Sequence, residues 1–549
     1  MSQSIKDDIK RYKDLKTDRA SFDTLWQKIA DYVMPRKSEI LTEKTEDTEG
    51  YVEDLFDMTA TQANMTLAAG IMTNAVPPTE RWFAYSPPEQ ILNDPQKRSK
   101  ASDWFEQCSA IASKELARSN FYTEFHEAML NRNAFGTCAV HAEEGKRSLL
   151  NFRSFAIGTF VIDVDNEGYV DTIMRELQWT ARQAKQEFGE AALGDKMKAE
   201  LKESTNKKFK ILHIIRPRAD GDRDRTRGDP ENKPIESKWI SMDEEHELRM
   251  SGYDEMPTNV GRFLRWGDRA YGTGPGIQCL PVVRQVNFLE KKMDILAEKA
   301  ADPPVLVPEG MIDEVDWRAG GETAFDPNTG AKPEEWMTQG RYDIGKDRVE
   351  IKTKFIEKCF HNELFQMFAN VERQITATEA MARLEEKLDV FSPTFQRITT
   401  ELLQPILARV FSLLFRAGVF PDPPQEAFVQ TATGFALPLP EVVFSSKLAL
   451  ALKAKENGSL QNTMATLADI AVVRPDVLDI FDFDTIGRDV AHNNSLPPRW
   501  TFPDEIVDGI RAERAAAQQA EQEAALAASA AATAKDLGQA PKELLDQAL

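Results

Sequence analysis

The sequence predicts an α+β fold that is mainly helical, and three observations carry that expectation. Val282, Val286, Leu289, Met293 and Leu296 are spaced 4, 3, 4, 3, with Arg284, Glu290, Lys291, Lys292, Asp294 and Glu298 between them, which puts one apolar stripe on a helix from Gly276 to about Ala301. A second stripe, Phe395, Ile398, Leu402, Ile406, Val410 and Leu413, continues past Pro405. A β-rich stretch opens at Gly136 to His141 and runs past Arg175 behind a set of helices. At 549 residues the chain is too long for one ordinary core, so about two to four domains are expected.

In chain order, residues 2–34 read as one or two helices with Tyr12, Leu15, Phe22, Leu25, Trp26 and Ile29 inward, ending at Pro35. Residues 36–54 are charged and read as a loop. Asp57 to Ala75 is a second helix, rich in Ala60, Ala63, Ala68, Ala69 and Gly70, whose small side chains permit close packing. Pro77-Pro78 ends it, and Trp82 to Tyr85 reads as a short strand. Ser99 to Leu116 and Phe121 to Asn133 are helices, Thr180 to Ser204 one or two more, and Ile211 to Ile215 a strand. Ala219 to Glu236 is a charged, Gly/Pro-containing loop.

Gly272-Thr273-Gly274-Pro275-Gly276 is a tight turn feeding the long helix, which stops at Asp302-Pro303-Pro304. From Pro303 to Lys352 an excursion holds a strand at Val305 to Val307, turns at Gly310, Gly320-Gly321 and Asn328 to Gly330, and a closing strand at Val349 to Ile351. A helix resumes near Lys354, with Ile356, Phe360, Leu364 and Phe368 on one face. After the polar link Val371 to Ile375, Thr376-Ala377-Thr378-Glu379 has the spacing of a capping box and opens a third helical tract. Pro393 and Pro405 are expected to kink or divide that tract, and Gly418 to cap it. Pro421 to Pro440 reads as extended and Val442 to Phe444 as a strand returning to the front domain. Leu448 to Leu452, Leu460 to Val473, Val477 to Phe481 and Asp484 to His492 are helical, and Asp504 to Leu537 is a long tract, alanine-rich from Ala515 to Ala534.

No enzymatic constellation emerges. Asp163-x-Asp165-Asn166-x-Gly168 opens like a calcium loop, but the twelfth position is Met174 where a bidentate Glu is needed, so a hairpin turn is expected. The Gly272 to Gly276 run lacks a third glycine in register and has no Gly-Lys-Ser/Thr, which argues against a phosphate cradle. The six histidines show no paired metal-ligand spacing, Gly-x-Ser-x-Gly is absent, and no metal, cofactor or catalytic residue is expected. A net charge of −21 argues against an open DNA-binding surface. Four cysteines without a CxxC pair read as reduced, buried thiols. No uninterrupted apolar run approaches the roughly 18–20 residues of a membrane span, so no membrane partner is expected.

Several short signals then stand in one order: Trp26-x-x-Ile29-Ala30-x-Tyr32-x-x-Pro35, Leu67-Ala68-Ala69-Gly70, Pro77-Pro78-x-x-x-Trp82-Phe83, Tyr271-Gly272-x-Gly274-Pro275 entering a helix with Asn287, Pro303-Pro304, Thr376-Ala377-Thr378-Glu379, and Glu401-Leu402-x-x-Pro405. Together, over roughly residues 10–425, they resemble the portal, or head-to-tail connector, protein of short-tailed bacteriophages. The resemblance implies a non-enzymatic subunit of a ring of about twelve copies at a capsid vertex, the channel through which double-stranded DNA is packaged and ejected. It implies a wing at 1–273, an outgoing stem helix at 274–301, a clip at 302–353 and a returning stem helix at 354–370. A tunnel loop at 371–375, a long kinked helix with return to the wing at 376–450, and crown or barrel helices at 451–549 complete it. Glu372, Arg373 and Gln374 would face DNA, Lys291, Lys292, Lys299, Lys352 and Lys354 are candidate channel-lining residues, and Glu309, Asp313, Trp317 and Trp336 would dock partners at the clip. The implied partners are copies of itself, double-stranded DNA without sequence specificity, the terminase large subunit, a tail adaptor, and the major capsid and scaffolding proteins, in a virion assembled from chains made in the host cytoplasm. A tail adaptor ring protein, or a soluble enzyme with a helical substrate domain, are the alternatives.

Overall fold

The computed structural model describes residues 2–35, 55–92, 94–203, 206–219, 227–309, 342–369, 390–431, 434–450, 480–493 and 504–539, with shorter pieces between them. The chain is a mixture of helix and sheet in two compact units. The first comprises Met1–Trp82, Ile111–Val419 and Ser446–Leu452, the second Phe83–Ala110, Phe420–Ser445 and Lys453–Leu549.

The first unit is built on two antiparallel sheets. Helix α1 (Ser2–Tyr32) and helix α2 (Thr59–Ala75) precede α4 (Phe121–Phe135), while α3 (Pro95–Arg118) crosses the boundary between units. Strands β2 (Thr137–Glu144), β3 (Leu150–Phe155) and β9 (Thr258–Arg262) form a three-stranded sheet in the order β3-β2-β9. Strands β4 (Phe160–Val164), β5 (Val170–Thr180), β6 (Lys208–Pro217), β7 (Ile235–Ser241) and β8 (His246–Tyr253) form a five-stranded meander.

The five-stranded sheet is covered on both faces, and the alternation of β6 shows why. Leu212 and Ile214 pack with Ile5, Ile9 and Tyr12 of α1, whereas Phe209 and Ile211 pack with Ala181, Ala184 and Met197 of the helices α5 (Ala181–Phe188) and α6 (Asp195–Glu203). Thr180 caps α5 through a full capping box with Gln183. The Asp163 to Gly168 stretch is the β4–β5 turn: Asp165 Oδ1 accepts from the amides of Glu167 and Tyr169, and Gly168 takes a φ of 84°. Among the described residues no group of His, Cys, Asp and Glu is placed to hold a metal.

Helix α7 (Pro275–Ala301) leaves the turn at Gly274, and helix α8 (Tyr342–Cys359) returns alongside it. The closing strand expected at Val349 to Ile351 is therefore incorrect, since these residues lie inside α8, and the helix begins at Tyr342 where a start near Lys354 was expected. Two β-branched residues suggested a strand, but Val349 and Ile356 sit seven apart on the side of α8 that meets α7, and that burial decides the conformation. The pairing inside the excursion is instead β10 (Val305–Leu306) with β11 (Glu334–Glu335). The single returning helix expected over Ile356, Phe360, Leu364 and Phe368 is divided: helix α9 (Asn362–Ala369) follows α8 after a sharp joint at His361, whose positive φ of 53° ends the first helix.

Helix α10 (Val390–Arg416) is apolar and mostly buried, and it is the one helix among the described residues long and apolar enough by composition to cross a membrane. The expected disturbance near Pro405 takes the form of a π-turn at Thr399–Leu403, which relieves the missing amide without breaking the helix. Gly418 follows at φ 66° and closes the end as expected.

In the second unit β1 (Phe83–Ser86) pairs with β14 (Glu441–Phe444), so the late strand meets an early one, though in the second unit and not in the first. Between them in sequence lies a hairpin of β12 (Val429–Thr431) and β13 (Gly434–Ala436), inside a segment that was expected to be extended throughout. Ser109 Oγ accepts from the Tyr85 amide, and Trp104 donates to the Pro421 carbonyl. Helix α11 (Phe483–Asn493) and the alanine-rich α12 (Asp504–Gln539) are joined by a two-pronged ion pair, Arg511 to Asp484, with both contacts at 2.6 Å. The described side chains of α12 are almost all exposed. The helices expected at Leu460 to Val473 and Val477 to Phe481 lie largely outside the described residues.

Candidate functional site

The site begins at the turn before α7. Gly272 and Gly274 pass so close to Gly136 and Asn133 that a Cβ on Gly274 would stand 2.6 Å from the Asn133 carbonyl, which is why glycine is needed there. Tyr271 is held beside them, its ring against Phe22 and Trp26 and its hydroxyl accepting from the Ile162 amide. With its start thus fixed, α7 buries Cys279, Leu280, Val283, Val286 and Asn287. Asn287 Oδ1 accepts from the amides of Phe56 and Asp57, tying the approach to α2 onto the back of α7.

Beyond Asn287, helix α8 runs alongside α7. The antiparallel register is set by two contacts: Lys352 donates to Gln285 at 2.6 Å, and a Cβ on Gly345 would come within 3.1 Å of the Met293 sulfur. The same register brings Cys279 opposite Cys359, and burial, with the neighbouring Cys359 thiol adding to it, pushes the Cys279 thiol up to about 12. Both are inert structural thiols by this chemistry.

The hairpin leaves large apolar groups in water. Phe288 is 58% exposed, Ile295 36%, Ile351 69% and Phe355 49%. Phe288 and Ile295 are seven apart on α7, and Ile351 and Phe355 four apart on α8, so each pair shares a helix face. Such a group of exposed apolar side chains on one element marks an interaction surface.

The five lysines expected along this hairpin are all described. Lys291 stands 5.0 Å from the Phe56 ring and Lys292 5.5 Å from the Phe288 ring. Lys352 holds Gln285, Lys354 pairs with Glu350 at 2.7 Å, and Lys299 is exposed in the last turn of α7. Glu290 is the carboxylate under pressure: partial burial, then the neighbouring Asp57 and Asp294, raise it above the usual carboxylate range. Of the expected clip residues, Glu309 is exposed just past β10, while Asp313, Trp317 and Trp336 lie outside the described residues, as do Glu372, Arg373 and Gln374.

The flanks of that last segment are described and they meet. Phe365 of α9 and Phe391 of α10 stand edge to face at 5.7 Å, and His361 contacts Phe391 at 5.5 Å. Phe365 in turn lies over Gly70 of α2, where a Cβ would clash at 2.3 Å. Residues 370–389 are thus bounded by two helix ends clamped to one another.

Behind this clamp lies a buried charge cluster that sequence reading missed. Glu401, in the π-turn, accepts from the Arg262 amide at 2.8 Å and from its guanidinium at 2.9 Å, with Arg397 at 3.5 Å. Arg132, wholly buried, donates to the Arg262 and Thr394 carbonyls, and burial draws its guanidinium down to about 10. The one signal in the sequence was the Glu401 to Pro405 run, which gives no hint of its partners 139 residues earlier.

Comparison with known proteins agrees with the extent of this architecture. The family model for bacteriophage head to tail connecting protein matches residues 6–501. The chain is 29% identical over 538 residues to the probable portal protein of Bordetella phage BPP-1, covering 96% of this chain and 94% of that protein. It is 28% identical over 540 residues to the portal protein of Salmonella phage epsilon15, covering 97% and 95%. Among solved structures, a chain in the virion of a native gene transfer agent particle superposes with a TM-score of 0.33 at 11% identity, over 73% of this chain and 94% of that one, too loosely to carry an argument.

Proposed function

The chain belongs to the bacteriophage head to tail connecting protein family, and we propose that it is the portal subunit of its virion: copies close into a ring at one capsid vertex, and double-stranded DNA enters and leaves along the axis. The observation that carries this reading is the match along nearly the whole chain to two phage portal proteins. The α7–α8 hairpin supports it independently, because Phe288, Ile295, Ile351 and Phe355 are left in water by the single chain and would be covered by neighbouring copies.

On this reading α7 and α8 are the stem, residues 302–341 the clip and α12 part of a crown. A ring of about twelve copies repeats every charged side chain around the axis, so a single lysine becomes a belt. Lys291, Lys292, Lys299, Lys352 and Lys354 are the candidates for such belts, in contact with phosphates and without sequence specificity. The segment clamped between Phe365 and Phe391 would be the tunnel loop, placing Glu372, Arg373 and Gln374 nearest the duplex. The clip, with Glu309, Asp313, Trp317 and Trp336, would be gripped by the terminase large subunit during packaging and by a tail adaptor afterwards. Major capsid and scaffolding proteins would meet the outside of the ring. No chemical step is assigned to the chain.

The test is electron microscopy of the parent particle with antibody-labelled chain. An annulus of this protein at the tail vertex supports the proposal, and its absence from that vertex removes it.

A further inference from the structure

The hairpin has two unlike faces. The contacts of Gln285 with Lys352 and of Met293 with Gly345 fix the line along which α7 and α8 touch. At 3.6 residues per turn, Phe288 and Ile295 lie about a quarter turn from that line on α7. Ile351 and Phe355 lie a quarter turn or more from it on α8. Because the helices are antiparallel, these displacements carry both pairs to the same side. Lys292, Lys299, Arg348 and Lys352 occupy that side with them, and the carboxylates near it, Glu298 three residues past Ile295 and Asp347 four before Ile351, lie toward its outer edges, so the side is net basic. The reverse side carries Glu290, Asp294, Glu350 and Glu357, with Lys346 among them and Lys354 at the edge of α8 away from α7.

We propose that neighbouring copies of this chain join head to tail through these faces, the apolar and basic side of one hairpin against the acidic side of the next. Two different surfaces that fit each other on the same subunit generate a rotationally repeating contact, which closes into a ring when the rotation allows. The apolar side chains supply the buried area, and the opposed charges set direction and exclude the face-to-face dimer, in which four cations would meet four cations. Glu290, raised first by partial burial and then by Asp57 and Asp294, is a carboxylate that a cation from the next copy would relieve.

The inference rests on the portal reading for the existence of a ring, but says which residues close it. It also divides the stem lysines. Lys292, Lys299 and Lys352 belong to the contact between copies, and Lys354, on the edge of α8 away from α7, is left as the candidate for the channel wall.

The experiment uses the full-length chain in two charge-reversed forms. One carries Glu290→Lys and Asp294→Lys, the other Lys292→Glu, Lys299→Glu and Arg348→Glu. Each alone should need at least about tenfold more protein than the unaltered chain for half-maximal assembly, read by native mass spectrometry. An equimolar mixture should assemble again, in rings holding the two forms in equal number, because every junction then pairs opposite charges. Recovery on mixing cannot come from misfolded chains. Assembly of either form alone at unaltered concentration, or no recovery in the mixture, overturns the proposed faces while leaving the portal reading standing. If the unaltered chain itself forms no ring, the portal reading falls first.

Discussion

Glu401→Ala should loosen the first unit more than any other single truncation on α10. Arg262 is 2% and Glu401 9% exposed at the side chain, so water cannot replace the lost carboxylate. The change removes both guanidinium contacts and the acceptor for the Arg262 amide, and it leaves Arg262 and Arg132 buried without a compensating charge. Breaking one side of such a pair costs about 3–5 kcal/mol. Because the chain has two units, native-state hydrogen exchange, which reads the first unit through its own amides, is the assay. Amides of β9 and the middle of α10 should exchange about 10²–10⁴ times faster, at roughly 1.4 kcal/mol per tenfold. Replacing both partners, as Arg262→Met with Glu401→Leu, should recover most of the loss, because an apolar pair leaves no unpaired charge behind. Exchange accelerated less than about tenfold by Glu401→Ala would refute the reasoning, since the cluster would then contribute only what a surface ion pair does.

Three further outcomes are expected. His141, His213 and His361 are all held below the usual imidazole value, chiefly by burial, so the unfolded chain binds protons that the folded one does not. Stability is then present above about pH 6.5 and falls as pH drops below it, which a urea midpoint measured from pH 7.5 to 5.5 would show, and His213→Gln should flatten. Gly70→Ala should destabilise by about 1–3 kcal/mol in spite of alanine's better helix propensity, because its methyl meets the Phe365 ring, and adding Phe365→Ala should bring back part of the loss in the same urea assay. Arg373→Glu should leave assembly intact while lowering the length of DNA packaged per particle, and full-length packaging in that variant would remove Arg373 from the channel.

Much of the fold could be read from local pattern. Helices α1 and α7 follow stripes at helical spacing, Gly274-Pro275 and Gly418 mark ends by backbone constraint, and the Asp165 turn follows from Asx chemistry. Strands β7 to β9 were not legible. Glu236, Lys238, His246, Glu247 and Arg249 make β7 and β8 too polar to look like core, and they form because β6 offers a paired edge to β7 and β7 to β8, and because ion pairs such as Lys238 to Asp8 at 2.8 Å satisfy the charges, while β9 pairs with β2. The start of α8 was misplaced for a related reason: its burial comes from α7, 67 residues away at Gln285 and Lys352, and no local window contains that information. For the site, the hairpin was visible as two stripes. The unlike character of its two faces was not, because it depends on the register between helices separated by forty residues of other structure.

The most direct test of the account is the mass of the purified full-length assembly in solution. A closed ring of about twelve copies is the expected result. A chain that stays single and folded at high concentration, with Phe288, Ile295, Ile351 and Phe355 still in water, would contradict it.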